Sequence, residues 1–553
     1  MMKKMLLQAT TLLVFAACTQ NTTESTPAAD ADLIVYNARI YTVDSSFSIA
    51  EAMAIRDGKF LRAGTNAEIR AAYTADNTLD ARGKAIYPGF HDAHSHFYGY
   101  GLFLQDVNLV GSASFDEVMQ RIAAHREKYP DQEWIIGRGW DQNRWENKDF
   151  PQNTMLNEAY PDVPVFLTRI DGHAALVNKK ALGMAKVEAN TPVNGGKILL
   201  SASGTPSGVL IDNGVDLVQK VIPVPDNATA IRGLKLAQEN CFAVGLTSVA
   251  DAGLAKAQID LVDSLQKADE LRIRMYAMLN PNQENLSHYL PTGPYTTDKL
   301  TVTGFKVYAD GALGSRGACL IKAYSDDPEN YGLMVTTKQE MAELAEKLYA
   351  GGFQMNTHAI GDSANRVVLD IYADNLKGKN DRRWRVEHAQ VVNPADVPTF
   401  GEHSIIPSVQ PTHATSDMDW ADERLGKERI AHAYAYKKLM EQNGHLPLGS
   451  DFPVEDINPL YGFHAAVART AADGHPDGGF QMENALSREE ALRGMTIWAA
   501  FANFEDKIKG SVEPGKVADF VILEEDIMEA TSETLRDVKV SATYVDGREV
   551  FSK

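Results

Sequence analysis

Short apolar runs recur along most of this chain, and many of them end in a polar or titratable residue. Residues 84–90 make the first such run in the body of the chain. Others follow at 245–251, 271–278, 300–309, 352–358, 384–388, 405–410 and 446–451. Between many of them lie segments with apolar residues at helical spacing, including 338–349, 364–376 and 429–440. Ser487, followed by Glu489 and Glu490, reads as the N-cap and acidic first turn of a further helix. Strands alternating with helices in this way predict an α/β fold, a (β/α)8 TIM barrel.

The regular spacing breaks once. Residues 97–240 are too many for one crossover and carry their own strand signals, such as Val163-Pro164-Val165-Phe166-Leu167. They read as a subdomain inserted after strand 1 and lying over the barrel mouth. Both ends of the chain show hairpin patterns, around Asp57-Gly58 and Asp546-Gly547, with a further strand at 518–523. The expected organisation is a barrel over 87–507, with the insert at roughly 97–240. A small β-sandwich domain built from both termini would cover 32–86 and 508–553.

The polar ends of the strands carry the chemistry. His94 and His96, in Asp92-Ala93-His94-Ser95-His96, are two apart, so a strand would point them to one side. Lys306 interrupts an apolar run, and His358, His388 and Asp451 each close one. Singly, each has a structural reading: a hydrogen-bonded core histidine, a solvent-facing lysine, a capping aspartate. In a parallel barrel, however, all strand C-termini lie on one face, so these six residues converge. Four imidazoles and a carboxylate suit Zn²⁺, and the same set accepts Mn²⁺ or Fe²⁺.

The first residues change the picture of location. Positive charge at Lys3 and Lys4, an apolar stretch over 5–15 and Ala16-Ala17-Cys18 form a processing segment over 1–18. It resembles a bacterial lipoprotein signal in which Cys18 becomes the lipidated first residue. Residues 19–31, rich in Thr, Ser, Ala and Asn, read as a flexible tether. The expected location is outside the bacterial cytoplasm, periplasmic or anchored to a membrane through that lipid alone. Cys241 and Cys319 are too few for a disulfide framework. A formal charge of −20 excludes a general nucleic-acid binder and leaves a small molecule as the expected partner, with a homo-oligomer open.

Six stretches together carry a family resemblance. They are Pro88-Gly89-Phe90-His91-Asp92-Ala93-His94-Ser95-His96, Lys306-Val307-Tyr308-Ala309-Asp310-Gly311, His358-Ala359-Ile360-Gly361-Asp362, Arg385-Val386-Glu387-His388-Ala389-Gln390, Gly449-Ser450-Asp451-Phe452-Pro453-Val454 and Gly515-Lys516-Val517-Ala518-Asp519-Phe520. The chain resembles the amidohydrolase superfamily, in its amidohydrolase-3 group of YtcJ-like and N-substituted formamide deformylase-like proteins. His91 stands where that group has an apolar residue.

The resemblance implies two divalent metal ions, zinc expected, bridged by a CO2-derived carbamate on Lys306. A lysine kept neutral by burial can add CO2, and the resulting anion can bridge two cations. An unmodified Lys306 beside a single metal is the competing state. Asp451 is the expected ligand and general base. The implied reaction is metal-dependent hydrolysis of a non-peptide amide-type C–N bond in a small N-acyl or N-formyl compound. A deaminase, a cyclic-amide hydrolase, an ester hydrolase and an inactive binding lipoprotein are the alternatives. His173, in Asp171-Gly172-His173-Ala174 with Asn178 nearby, matches the group's insert motif and is a candidate substrate contact. Trp140, Arg144 and Trp145 either line a pocket or pack the insert. Asp310 and Arg316 would support the ligands from behind.

Overall fold

A computed structural model describes residues 29–553; the signal segment, Cys18 and tether residues 19–28 lie outside the described residues. Seven strands, all parallel to their neighbours, run in sequence order around a nearly closed barrel. They are β1 (Phe90–Ser95), β2 (Leu246–Leu254), β3 (Arg274–Leu279), β4 (Leu300–Tyr308), β5 (Gln354–Ala359), β6 (Arg385–His388) and β7 (Ile406–Ser408). Helices Lys256–Lys267, Lys338–Gly351, Asp362–Leu376 and Val397–Glu402 cross between them on the outside. The fold is the expected TIM barrel.

The eighth position differs from expectation. Residues 446–451 fill the gap between β7 and β1 without forming a regular strand. One parallel bridge, Val409 to Leu448, links them to the β7 side. Ala93 N donates to Leu448 O at 3.1 Å, and Asp451 N donates to His94 O at 2.7 Å. Gly449 explains the close approach: a Cβ there would stand 2.5 Å from His94 N. Asp451 then turns into left-handed backbone, φ 62°, which ends any ladder.

Alternation along the strands sorts the barrel into two layers. Phe305, Val307, Met355 and Val386 face the helices and join the main apolar core, whereas Lys306, Asn356, Arg385 and Glu387 are buried on the opposite side of the same strands. The barrel interior is therefore polar, which positions a site there but requires every group to find a partner.

The run at 84–90 divides into two elements. Ala85–Pro88 pairs with Phe520–Leu523 and Arg39–Tyr41 in a six-stranded sheet, and β1 begins only at Phe90. A Cβ at Gly89, the break point, would meet the Thr247 hydroxyl at 2.2 Å. That sheet draws strands from both ends of the chain. It shares a core containing Val35, Met53, Phe60, Ile86 and Phe520 with a four-stranded sheet from the N-terminal side.

The tether expectation needs correction at its end. Ala29–Asp30 pairs with Tyr73–Thr74, and Ala31 is buried with its N–H bonded to Thr74 O, so the chain is docked from residue 29. The helix expected over 429–440 is broken as well. Ala421–Ile430 and Tyr436–Asn443 are separate helices because Tyr434 takes left-handed backbone and donates its N–H to Gln390 O.

The long excursion after β1 contains its own six-stranded sheet, with strands Val107–Asn108, Ile135–Trp140, Val165–Arg169, Ala174–Val177, Pro206–Asp212 and Gly196–Leu200 in spatial order. Helices Phe97–Phe103 and Asn227–Ala243 flank it and cross at Gly101 and Gly233, where a Cβ on either would meet the other's backbone at 2.4–2.6 Å. Among the described residues no helix is long and apolar enough to cross a membrane.

Candidate metal centre

Asp451 lies at the middle of the polar cluster. Its Oδ1 is 3.1 Å from His96 Nε2 and 3.5 Å from His94 Nε2. It is buried, yet it has no hydrogen-bond partner of good geometry. Burial alone would raise the Asp451 carboxyl. The His96 imidazole 3.1 Å away, with the His94 and His388 rings beside it, outweighs that and holds it well below the usual carboxylate range. His94, His388 and Asp451 each offer a ligand atom, all within 4.8 Å of one another and all buried. The His358 ring lies 4.5 Å from His388, centre to centre, which continues the cluster toward β5. His388 and Asp451 both adopt left-handed backbone, at φ 72° and 62°. Strain of this kind in non-glycine residues is costly and concentrates at functional sites.

Lys306, 1% exposed, places its Nζ 3.0 Å from His94 Nε2. Burial pushes its ammonium down to about 8, against the attraction of Glu387 and Asp451. Burial, helped by Lys306, likewise pushes His94 down to about 4, leaving its ring neutral. A buried carboxylate oxygen without a hydrogen bond, facing the ring nitrogens of buried imidazoles, is what a shared cation reconciles. The donor set fits a divalent metal. All six residues expected at the site are in or beside this cluster.

The groups that hold His94 and His388 from behind were not assigned from the sequence. Glu387 Oε2 lies 2.6 Å from His94 Nδ1, and Gln410 Oε1 lies 2.7 Å from His388 Nδ1, so each ring is held from its far nitrogen. Arg385, buried two residues before Glu387, stands 2.7 Å from Glu387 Oε1 and donates to Ala93 O and Ser408 Oγ. Asp92 accepts from the N–H of His94 and from the N–H and hydroxyl of Ser450, which locks β1 to the segment carrying Asp451. The legible signal was a charged pair at i, i+2 inside an apolar strand. His413 Nε2 is a further unpartnered buried nitrogen, 4.0 Å from Asp451 Oδ2.

The insert contributes His173, whose ring is 4.8 Å from that of His358. Its Nδ1 lies 2.8 Å from Asp212 Oδ1, and this carboxylate raises the imidazole's pKa against the opposing effect of burial. Trp140, by contrast, is 1% exposed, donates to Leu167 O and packs with Trp145 inside the insert. Arg144 is 57% exposed and reaches Asp141 and Ser416 O. Asn178 caps the helix Lys179–Ala185. Asp310 accepts the N–H groups of Cys319, Ile360 and Gly361, holding the loop behind His358. Arg316 pairs with Asp326 instead of with any ligand.

A model of the amidohydrolase family matches residues 77–551. The chain belongs to that family. It is 36% identical to Protein LONG AFTER FAR-RED 3 of Arabidopsis thaliana, over 94% of this chain and 92% of the relative. It is 27% identical to the N-substituted formamide deformylase of Arthrobacter pascens, over 93% and 97% respectively. Among solved structures, a metal-dependent hydrolase from Pyrococcus horikoshii OT3 superimposes with a TM-score of 0.73 at 28% identity, over 90% of this chain and 99% of that one. This family member presents a candidate metal site at His94, His388 and Asp451, on the barrel face formed by the strand C-termini.

Proposed function

We propose that this amidohydrolase cleaves a non-peptide amide-type C–N bond in a small N-acyl or N-formyl compound. The observation that carries the reading is the convergence of Asp451, Lys306 and four imidazoles, all but His96 buried, in one cluster. The deformylase relative supports the amide class. His94, His96, His358, His388 and Asp451 would hold two divalent cations, zinc in the first place, with Lys306, as its carbamate, a further ligand. When bound, such ions polarise a carbonyl and lower the pKa of a water molecule.

The chain's own residues supply the rest. Asp451 stays ionised at neutral pH, so its carboxylate can take the proton of a water and pass it to the leaving amine. Glu387 and Gln410 fix which nitrogen of His94 and His388 faces the cluster. Asp212 holds Nδ1 of His173, which leaves Nε2 for a substrate atom. Burial of Lys306 keeps a share of its amine neutral, the form that reacts with CO2. The amino-terminal segment supports export with lipid on Cys18, tested by palmitate labelling that a Cys18→Ser variant loses.

The test of the reaction is a panel of N-formyl and N-acyl amides, esters and amino-heterocycles, run on the wild type and on Asp451→Asn. Hydrolysis of amides, lost in the variant while metal stays bound, is the expected result. Turnover of esters or amino-heterocycles alone would refute the amide assignment. Full amide turnover by Asp451→Asn would remove the aspartate's role.

A further inference from the structure

Arg138 lies on the insert strand Ile135–Trp140, and its guanidinium has almost nothing to hold. One terminal nitrogen donates to Ile170 O at 2.9 Å, while Nε is shut off from water and has no partner. Among the described residues it forms no ion pair. Other interior arginines have both a counter-charge and hydrogen bonds, Arg274 from Asp519 and Arg169 from Asp141 and Asp171. Asp171, the acid in the loop that wraps Arg138, is already used by Arg169 and by the His173 N–H. A half-buried cation left without a counter-charge is expensive, and its spare donors need an explanation.

Its surroundings supply one. A Cβ at Gly172 would touch the Arg138 guanidinium at 3.3 Å, and the next residue, His173, lies against His358. Burial lowers the Arg138 guanidinium, and the acidic charge acting on it most strongly is that of Asp451, ahead of Asp171. The unpaired fork therefore lies on the insert side of the mouth, within electrostatic reach of the metal centre. A guanidinium matches a carboxylate with two parallel N–H···O bonds, which fixes both distance and orientation.

We propose that Arg138 anchors a carboxylate of the substrate, so that the compounds this site selects are N-acylated amino acids or similar carboxylate-bearing amides. The substrate class rests on the hydrolase reading above; the anchor itself does not. Bound at Arg138, the carboxylate stands on the insert side and the acyl group extends toward Asp451. Arg138 is then a specificity residue, supplied to the barrel by the insert.

The test uses the metal-loaded full chain and N-acetylated glycine, alanine, leucine and phenylalanine, each compared with its uncharged methylamide. Calorimetric Kd is read, or KM where a compound is turned over. At least one acid should bind roughly tenfold or more tighter than its methylamide, as a charge-assisted pair allows. Arg138→Gln should bring the two within about twofold, and Arg138→Lys, which keeps the charge but loses the fork, should fall between. Equal binding of every pair in the wild type, or no binding at all, overturns the anchor. So does a preference that survives in folded Arg138→Gln or is undiminished in Arg138→Lys, since the carboxylate would then sit elsewhere, on the metal for instance. The two readings fail separately. A preference for acids without turnover of any amide removes hydrolysis and keeps the anchor. Turnover of neutral amides without that preference does the reverse.

Discussion

Replacing Glu387 by glutamine removes one charge from the middle of the barrel and almost nothing of its shape. In the native chain Arg385 and Glu387 are both fully buried. Arg385 stands 2.7 Å from Glu387 Oε1 and also donates to Glu387 Oε2, Asn503 Oδ1, Ala93 O and Ser408 Oγ. Burial would raise the Glu387 carboxyl, but Arg385 and His94 drive it well below its usual range. Its stabilising contribution is therefore present above the ordinary carboxylate pKa of about 4.3 and is lost only as pH falls through the depressed folded value. At neutral pH the glutamine leaves Arg385 buried with no counter-charge, which costs about 3–5 kcal/mol. An unfolding entropy of about 2.1 cal/mol/K per residue amounts to roughly 1.2 kcal/mol/K over this chain, so Tm should fall by about 3–4 °C if the chain melts as one unit. His94 also loses the carboxylate behind Nδ1, which should weaken metal binding by about 10–100-fold. Scanning calorimetry and chelator competition read the two effects. Adding Arg385→Met should recover part of the lost Tm, because it removes the stranded charge. A Glu387→Gln protein that melts with the wild type and binds metal as tightly would refute the claim that this pair supports His94.

Other expectations follow from the same geometry. With its pKa at about 8, Lys306 is neutral in about a quarter of molecules at pH 7.5, against about 0.1% for an ordinary lysine. Reactivation of chelator-stripped protein by metal should therefore need bicarbonate, and should slow as pH falls from 8.5 to 6.5, where the amine is protonated; reactivation independent of CO2 would speak against the carbamate. His94, pushed down to about 4, should keep its lone pair free for metal through pH 6 and lose it only near pH 4–5, which dialysis followed by metal analysis would show. Trp140→Phe should cost about 1 kcal/mol for the lost bond to Leu167 O and leave KM unchanged; a large rise in KM would return Trp140 to the pocket wall. Gly101→Ala should destabilise by about 1–3 kcal/mol, read as a lower urea midpoint, because the methyl would meet the Gly233 backbone at 2.6 Å.

The barrel strands and the six residues of the cluster were legible because each strand ends where its apolar run meets a polar side chain, and parallel topology puts those ends on one face. What was not legible depends on three-dimensional closure. Residues 446–451 look like a strand but reach only one bridge, because Gly449 abuts the backbone of His94. The run at 84–90 hides a division between two sheets, and only the Thr247 side chain opposite Gly89 reveals it. Trp140 and Arg138 sit on the same strand two residues apart, and no pattern told that the tryptophan faces the insert's core while the arginine is left with spare donors. Arg385 and Glu387 were visible as a motif, but their partnership with His94 appears only once β1 and β6 are both in place.

The central claim is that His94, His96, Lys306, His358, His388 and Asp451 form one metal centre. Metal stoichiometry of the purified wild type and Lys306→Ala, by mass spectrometry of the digested protein, tests it most directly. About two divalent ions per wild-type chain, falling to one or none in Lys306→Ala, is the predicted result, as expected where Lys306 is a ligand of the pair. A wild type free of metal above background, or a Lys306→Ala protein that keeps its full complement, would contradict the account.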